Sequence, residues 1–173
     1  ILRKKILITG AAGFIGSHVA KKFIDEKYEV FGIDDLSTGY KKNVPKGVKF
    51  IKADLSSKQT YKSLPKSCDY ILHLAGQSSG EISFSNPISD LEKNTVSTIR
   101  LIKYGIKSKT KKFLFASSMS VYGKLKKNKF KETDGCYPLS CYGASKLSSE
   151  KYLEIFKEKL PYVSLRMFSV YGP

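Results

Sequence analysis

The chain has 173 residues, of which 41% are hydrophobic and 27% charged, enough to bury the core of one domain. Its 31 Lys and Arg residues outnumber 15 Asp and Glu residues and give a formal net charge of +16. No apolar run approaches membrane-spanning length, and the opening apolar stretch lacks a signal-peptide cleavage site, so we expect no membrane association.

The basic charge has two interpretations: a surface for nucleic acid or another anion, or lysines spread over solvated faces. We favour the second and predict no nucleic-acid partner, because no stripe of basic and aromatic side chains emerges. The three cysteines are odd in number and form no Cys-x-x-Cys pair. This argues against disulfides and a zinc site, so we predict no metal and a reducing, cytoplasmic location.

Strand-like apolar runs alternate with helix-like stretches along the chain. In chain order we predict a strand near 4–9, a helix near 14–26, strands near 28–33 and 48–52, a helix near 58–63, a strand near 69–74, a helix near 88–106, a strand near 111–117, a helix near 140–158 and a strand near 162–168. This alternation predicts an α/β fold, a doubly wound parallel sheet between two helix layers (Rossmann fold). The apolar-poor stretch Gly123–Pro138 is predicted to be a long surface loop.

Three glycines follow the first predicted strand, in the spacing Gly10-x-x-Gly13-x-x-Gly16. They indicate either an ordinary turn or a dinucleotide-binding loop. In such a loop Gly10 permits the tight turn, Gly13 admits a pyrophosphate to the backbone, and Gly16 lets the helix pack closely on the strand. The N-terminus of that helix would offer free N–H groups and a positive dipole end to the anion.

An acidic pair, Asp34 and Asp35, ends the second predicted strand. Asp34 alone is most simply a helix or turn cap. Together with the glycines, it matches the fingerprint in which a carboxylate accepts hydrogen bonds from a ribose diol. A carboxylate there would repel a 2′-phosphate, so we predict NAD rather than NADP as the cofactor.

Two tyrosine–lysine pairs have a spacing that puts both side chains on one helix face, Tyr142-x-x-x-Lys146 and Tyr122-x-x-x-Lys126. Chance alone would produce such pairs in a chain rich in both residues. We favour Tyr142 and Lys146 because an amphipathic pattern follows them, whereas Tyr122 precedes a glycine and a lysine-rich loop. An ammonium beside a phenol lowers the pKa of the phenol, which could then act as a general base toward a hydroxyl.

Two hydroxyl groups, those of Ser117 and Ser118, end the fifth predicted strand. The end of a strand beside the cofactor is where ligands bind in such folds. A serine there could hydrogen-bond a substrate hydroxyl and the tyrosine oxygen, although an ordinary polar strand end is the simpler interpretation of either residue alone.

The chain resembles the extended short-chain dehydrogenase/reductases, specifically the NAD-dependent epimerase/dehydratase family and its UDP-glucose 4-epimerase-like members. The matching stretches occur in the family's order and span the chain: TGAAGFIGSHV, DDLSTG, ADL, HLAGQSS, NTVSTIRLI, SSMSVYG, YGASK and RMFSVYGP.

The resemblance implies a role for each residue that matches a family motif. The implied cofactor-binding residues are Gly10, Gly13, Phe14, Ile15 and Gly16 at the pyrophosphate turn, Asp34, Asp35, Leu36, Ser37, Thr38 and Gly39 at the adenosine ribose, Asp54 and Leu55 at the adenine, Leu74, Ala75, Gly76 and Ser78 after the fourth strand, and Asn94, Tyr142, Lys146 and Phe168 elsewhere along the cofactor. The implied catalytic residues are Ser118, Tyr142 and Lys146.

The subfamily is indicated by Met119 and Ser120. Related dehydratases carry acids here that remove water, and many decarboxylases keep a glutamate at the Ser120 position. Their lack favours an epimerase: Tyr142 takes a proton from a sugar hydroxyl while hydride moves to NAD, the keto sugar turns over, and hydride returns to its other face. The implied reaction is 4-epimerisation of a UDP-hexose. A dehydratase, reductase or decarboxylase acting on nucleotide sugars, and a non-catalytic NAD-binding module, remain open.

The family continues well beyond the position of Pro173, with a further strand and a substrate domain. We therefore interpret residues 1–173 as the NAD-binding domain of a longer protein, lacking most of the substrate domain. This piece alone is expected to bind NAD without catalysing the reaction. Ser169 stands where the family often has Asn beside the substrate phosphate, which leaves the sugar open.

The resemblance also implies a homodimer, in which the helices near 88–106 and 140–158 of two copies form a four-helix bundle. Leu101, Ile102 and Leu153 are candidate outward-facing apolar residues. Packing of these three residues on the sheet is the alternative.

Overall fold

A computed structural model describes residues 3–124 and 129–172. The strands are β1 (Lys5–Thr9), β2 (Glu29–Asp34), β3 (Lys49–Lys52), β4 (Tyr70–His73), β5 (Lys112–Ser118) and β6 (Tyr162–Met167). The α-helices are α1 (Phe14–Asp25), α2 (Gly80–Ser85), α3 (Pro87–Leu91), α4 (Ser97–Lys107) and α5 (Cys141–Ile155). A π-helical turn, Glu92–Val96, joins α3 to α4, and short 3₁₀ turns occupy Lys41–Asn43, Lys58–Lys62 and Met119–Val121.

All six strands pair in parallel, in the order β3-β2-β1-β4-β5-β6. The chain therefore winds outward in one direction from β1 and in the other from β4, which lie side by side. The predicted doubly wound parallel sheet is confirmed. In such sheets ligands bind outside the carboxyl ends of the strands where the winding reverses, which here is the edge that follows β1 and β4.

Successive strand residues point to opposite faces of the sheet, and helices cover both faces. Leu7 joins a core that includes α4 and α5 side chains, whereas Ile6 and Ile8 join a second core that includes α1. Three side chains expected to face outward, Leu101, Ile102 and Leu153, are at most 1% exposed in the first of these cores. That expectation is wrong, because these residues form the sheet-facing stripe of their helices.

Two short segments differ from the sequence prediction. The helix predicted near 58–63 is the 3₁₀ turn Lys58–Lys62, and α2 was not predicted at all. The large apolar residues of α2, Ile82 and Phe84, are 58% and 61% exposed, so the helix has no buried stripe that would produce a helical pattern. It begins instead at a capping residue, Ser79, whose Oγ accepts from Ile82 N at 3.2 Å.

The long segment predicted as a loop, Gly123–Pro138, contains no helix or strand in its described part. One bridge joins Gly123 to Tyr137 across it. It also contacts the guanidinium of Arg166 on β6, which donates to the Glu132 carbonyl at 3.2 Å and pairs with the Glu150 carboxylate at 2.8 Å. Arg166 thus joins β6, α5 and this loop beside the carboxyl edge of the sheet.

Within residues 3–124 and 129–172, no helix combines the length and hydropathy required of a membrane span.

Candidate active site

The loop between β1 and α1 depends on the missing side chains of its glycines. Gly10 has a left-handed φ of +71°, and its N–H donates to the Ile33 carbonyl on β2 at 2.8 Å. A Cβ on Gly16 would lie 1.9 Å from the Gly10 carbonyl oxygen. The first turn of α1 therefore packs directly on the backbone that leaves β1, as the spacing predicted.

The N-terminus of α1 is open to an anion. Its N-cap residue, Gly13, provides no side-chain cap, and the first turn contains no acidic residue. Phe14 begins the helix and is 43% exposed, with Ile15 partly buried behind it. Free N–H groups at a helix start attract phosphate, and here they meet no competing carboxylate of the helix itself.

Asp34 fastens this loop to the one that follows β2. Its Oδ2 accepts from Ala12 N at 3.0 Å, and its Oδ1 accepts from Leu36 N at 2.8 Å. The capping role considered for Asp34 is therefore real in the structure. Each carboxylate oxygen can still accept a further hydrogen bond, so the predicted contact with a ribose diol stays compatible with this geometry.

Asp35 has a different set of partners. Its Oδ1 accepts from Ser37 N at 2.8 Å, and its Oδ2 lies 3.2 Å from the Lys93 ammonium in the π-helical turn. Burial alone would raise the pKa of Asp35, but the hydrogen bonds from Ser37 and the charge of Lys93 hold it below its usual value. This ion pair ties the loop after β2, which continues through Thr38 and Gly39, to the helix on the other side of the cleft.

The remaining predicted cofactor residues also follow the ends of strands. Asp54 and Leu55 follow the end of β3 after one intervening residue, and Asp54 Oδ1 accepts from Ser56 N at 2.8 Å. Phe168 follows β6, is 54% exposed, and lies 6.2 Å from the Phe130 ring. The structure therefore brings these residues to the same edge of the sheet as the glycine loop.

A buried histidine, His73, connects β1 to the turn after β4. Thr9 Oγ1 accepts from Leu74 N at 3.1 Å and from Ala75 N at 3.0 Å, and lies 2.7 Å from His73 Nδ1. With both acceptor positions of the hydroxyl occupied, Thr9 must donate its own proton to Nδ1. The imidazole proton therefore resides on Nε2.

His73 Nε2 then donates to Thr98 Oγ1 at 2.9 Å, and Thr98 Oγ1 donates to the Asn94 carbonyl at 2.5 Å. The imidazole is 1% exposed. Burial, reinforced by the charge of Lys146, lowers the pKa of His73 to about 3, so the ring stays neutral. This directional chain fixes the π-helical turn relative to the loop that contains Leu74–Ser78.

Asn94 presents a buried acceptor without a partner. Its Nδ2 donates to the Gln77 carbonyl at 3.1 Å and to Asp90 Oδ1 at 3.0 Å, while no hydrogen bond to its Oδ1 is found within the described chain. A Cβ on Gly76 would lie 2.3 Å from that Oδ1 and 3.4 Å from Lys146 Nζ. Glycine at position 76 therefore lets the Asn94 amide pack directly against the backbone of the loop after β4, close to the Lys146 ammonium.

The predicted catalytic pair lies on the first turns of α5. Lys146 is 4% exposed, donates from Nζ to the Ala116 carbonyl at 3.0 Å, and lies 5.7 Å from the centre of the Tyr142 ring. Burial lowers the pKa of Lys146 to about 8, and the negative charge of Asp90 opposes that shift. The ammonium is thus close to losing its proton near physiological pH.

The pKa of Tyr142 is shifted in the direction opposite to the one expected from Lys146. Burial raises the pKa of the phenol, the hydrogen bond with Ser118 lowers it, and the charge of Asp90 raises it again. Burial dominates because the Lys146 ammonium faces the ring and donates to a carbonyl rather than to the phenol oxygen.

The two serines at the end of β5, Ser117 and Ser118, have different hydrogen-bond partners. Ser117 Oγ donates to Glu150 Oε1 at 2.5 Å, away from the pair, whereas the Ser118 hydroxyl interacts with the Tyr142 phenol and its Oγ lies 3.1 Å from Ser120 Oγ. The structure therefore brings Ser118, Tyr142 and Lys146 together.

Tyr122, the tyrosine of the competing pair, lies in a packed aromatic environment rather than on a helix. Tyr122 is 4% exposed, follows a 3₁₀ turn rather than lying on an α-helix, and is stacked 4.7 Å from Phe130 with the Arg166 guanidinium 4.8 Å away. Its partner in the sequence motif, Lys126, lies outside the described residues. Tyr122 is a packing residue.

Two polar residues of this site were missed by the sequence analysis, His73 and Asp90. Asp90 precedes Asn94 by one helical turn and is fully buried. The available signal was the position of each residue, the histidine at the end of a strand and the aspartate one turn before a predicted cofactor residue.

The chain belongs to the NAD dependent epimerase/dehydratase family, whose sequence profile matches residues 6–173. A putative UDP-glucose 4-epimerase of Methanocaldococcus jannaschii is 36% identical over 171 residues, which cover 96% of this chain and 56% of the relative. The chain thus spans little more than half the length of such relatives.

Solved structures agree with the fold. UDP-glucose 4-epimerase of Thermotoga maritima, solved with UDP-glucose, is 38% identical with a TM-score of 0.93 over 98% of this chain and 57% of its own. The UDP-N-acetylglucosamine 4-epimerase of Methanobrevibacter ruminantium, in complex with UDP-N-acetylmuramic acid, is 36% identical with a TM-score of 0.92 over all of this chain and 57% of its own. The Thermus thermophilus UDP-glucose 4-epimerase, solved with NAD, is 35% identical with a TM-score of 0.90 over 98% of this chain and 56% of its own.

Replacing the second and third glycines of the loop, one at a time, should separate the effect on folding from the effect on cofactor binding. Gly16→Ala places a methyl group on the Gly10 carbonyl, so we expect the free energy of unfolding to fall by about 2–3 kcal/mol. Gly13→Ala meets that oxygen only at 3.3 Å, so it should cost about 0.5–1 kcal/mol. Gly13→Ala should nevertheless weaken NAD binding, since its methyl group stands where a phosphate would approach.

Urea unfolding measures the effect of each variant on stability, and calorimetric NAD titration measures its effect on NAD affinity. Equal destabilisation, or unchanged NAD affinity in Gly13→Ala, would contradict this interpretation of the loop.

Replacing His73 should reduce the amount by which the free energy of unfolding falls on acidification. An unfolded histidine binds a proton below a pKa of about 6.5, whereas His73 resists it until about 3, so the stability present above pH 6.5 is lost as the pH falls through this window. At pH 4.5 the loss attributable to His73 should be roughly 2–3 kcal/mol.

Urea unfolding at pH 7.5 and pH 4.5 checks this for His73→Gln, which should lose less stability on acidification than the parent. The control is His18→Gln, because His18 is the other histidine and is exposed on α1. An identical acid loss in His73→Gln and the parent would show that the ring is not kept neutral by its surroundings.

Proposed function

We propose that the protein containing this chain is an NAD-dependent nucleotide-sugar epimerase, and that it inverts C4 of a UDP-hexose. The observation that carries the proposal is the convergence of Ser118, Tyr142 and Lys146 on the sheet edge that also holds the uncapped start of α1. Relatives named as UDP-sugar 4-epimerases support the same reaction.

The residues at this edge fit NAD. The open helix start suits a pyrophosphate, and the Asp34 carboxylate suits a ribose without a 2′-phosphate. The remaining cofactor residues implied by the resemblance stay proposed contacts. When bound, NAD supplies a hydride acceptor and a positive charge on its nicotinamide ring.

In this reaction the residues of this chain would transfer a proton to and from one sugar hydroxyl. Tyr142 would accept the hydroxyl proton as the 4-keto sugar forms, and would return it when the alcohol is restored on the other face. Ser118 would hold the phenol and the sugar hydroxyl in line. Lys146 would stabilise negative charge on the phenol oxygen, and burial would strengthen that attraction.

The strand end favours epimerisation over loss of water. Met119 and Ser120 follow Ser118 directly, and Ser120 Oγ lies 3.1 Å from Ser118 Oγ. Neither side chain can donate and accept protons as a carboxyl group does near neutral pH. A dehydration would therefore lack its acid and base at this position.

The proposal is tested with the full-length protein, NAD and a panel of UDP-hexoses, by chromatography with mass detection. A new peak of unchanged mass is the expected result, whereas a product lighter by water or carbon dioxide would identify a dehydratase or decarboxylase. We expect Tyr142→Phe to lower kcat by about 10²–10⁴-fold while NAD still binds. The matched control is Tyr122→Phe, which should keep its turnover. Wild-type turnover by Tyr142→Phe would exclude the assigned base.

We also propose that residues 1–173 form the NAD-binding domain and that the sugar-selecting part of the protein lies outside them. The extent of the relatives, of which the chain covers 56%, supports this division. The chain alone should then bind NAD without turning over any sugar nucleotide. The unpaired cysteines, Cys68, Cys136 and Cys141, are compatible with the cytoplasm as its location.

A homodimer remains our proposal, with different outward residues from those first chosen. Ile88 and Leu91 on α3 are 66% and 44% exposed, and Tyr152 and Ile155 on the neighbouring α5 are 37% and 71% exposed. A second copy of the chain would cover these side chains. Light scattering of the full-length protein should give twice the protomer mass, and Ile155→Glu should lower it. A monomeric wild-type protein would remove the proposal.

A further inference from the structure

Asp90 is a carboxylate at the end of α3 with no exposed surface. It accepts hydrogen bonds from side chains in three different segments. Ser145 Oγ on α5 donates to its Oδ2 at 2.6 Å, and Asn94 Nδ2 in the π-helical turn donates to its Oδ1 at 3.0 Å. Gln77 Nε2, in the loop after β4, approaches the same Oδ1 at 3.3 Å.

The bond to Ser145 reaches the catalytic turn itself. Ser145 lies between Tyr142 and Lys146 on α5, so its position fixes the turn that presents both side chains. Two further bonds extend this polar seam: Thr95 Oγ1 donates to the Ser145 carbonyl at 3.0 Å, and Ser149 Oγ donates to the same carbonyl at 2.9 Å. Asp90 is the member of the seam that holds the Ser145 side chain.

The charge of Asp90 is directed at the same pair. Its three hydrogen-bond donors are neutral, so none of them neutralises the carboxylate. Among the charged groups of the packed segments, Glu81 and Glu92 are exposed, and Lys93 is paired with Asp35.

On α5, Glu150 is paired with Arg166 and Lys151 is exposed, whereas the Asp90 charge acts on Tyr142 and Lys146. Burial lowers the pKa of Lys146, and the Asp90 charge is the opposing influence. Burial raises the pKa of Tyr142, and the Asp90 charge adds to that shift.

We propose that Asp90 is a positioning residue for the reaction assigned above, fixing the catalytic turn of α5 through Ser145 and placing a buried negative charge behind the turn that presents Tyr142 and Lys146. The inference rests on the proposed function for its kinetic consequences, whereas the effect of the Asp90 charge on Lys146 can be measured without turnover.

The charge and the tether can be removed separately in the full-length protein. Asp90→Asn keeps the shape and lets the Ser145 hydroxyl accept from the new amide, but removes the charge. The pKa values of Tyr142 and Lys146 should then both fall, so both limbs of the kcat/KM profile should move to lower pH by about one unit. Ser145→Ala keeps the charge and removes the tether, so kcat should fall about tenfold while both limbs stay in place.

A matched control is Asp69→Asn. Asp69 precedes β4 at the opposite edge of the sheet and accepts from Lys5 N at 2.8 Å. This variant removes one carboxylate from the fold without touching α5, so its pH profile should coincide with that of the wild-type protein. Thermal unfolding of all three variants separates loss of structure from loss of rate.

A readout independent of turnover is the titration of Lys146 by ¹³Cε NMR, assigned by its absence in Lys146→Met. The Lys146 midpoint should lie lower in Asp90→Asn than in the wild-type protein. An unchanged midpoint would overturn the proposal even if the enzyme is active. A lowered midpoint without epimerase turnover in the wild-type protein would support the Asp90 assignment and refute the proposed function.

Discussion

The contact on which the rest of the site depends is the packing of Gly16 on the carbonyl of Gly10. It brings the axis of α1 against β1 at a distance that no side chain permits. That distance sets the helix start beside the Asp34 carboxylate, which accepts from the backbone of the glycine loop. One steric constraint therefore places an anion-attracting helix start and a carboxylate next to each other, which suits a dinucleotide that carries a pyrophosphate but no 2′-phosphate.

The other half of the cleft is held by buried polar groups rather than by close backbone packing. His73 must remain neutral, Asp90 accepts three hydrogen bonds, and Lys146 has lost nearly all contact with water. Each of these groups is costly to bury, so each is constrained to one arrangement by the partners that compensate for its hydration. The resulting rigidity serves a reaction in which a proton and a hydride must leave and return with defined geometry.

The sequence predicted the sheet well because strands buried on both faces read as short apolar runs, and the six predicted strands match those observed to within about two residues. The glycine loop and Tyr142-x-x-x-Lys146 were found because their chemistry fixes their spacing. Orientation was harder to predict. Periodicity shows that Leu101 and Ile102 share a helix face but does not say what covers it, and the sheet rather than a second copy covers it here. Asp90 and the tautomer of His73 depend on partners distant in sequence, which no local pattern reveals.

The protonation of the pair on α5 follows from these constraints. Burial favours the neutral form of both Tyr142 and Lys146, so it raises the pKa of the acid and lowers that of the base. Near pH 7 the described chain therefore holds a neutral phenol beside an ammonium. A phenol in that state becomes a better base when further positive charge enters the cleft, and the charge of Asp90 acts in the opposite direction. The uncapped helix start and the Asp34 carboxylate on the same sheet edge suit NAD, whose oxidised nicotinamide ring carries that charge, so binding of NAD would favour activation of Tyr142.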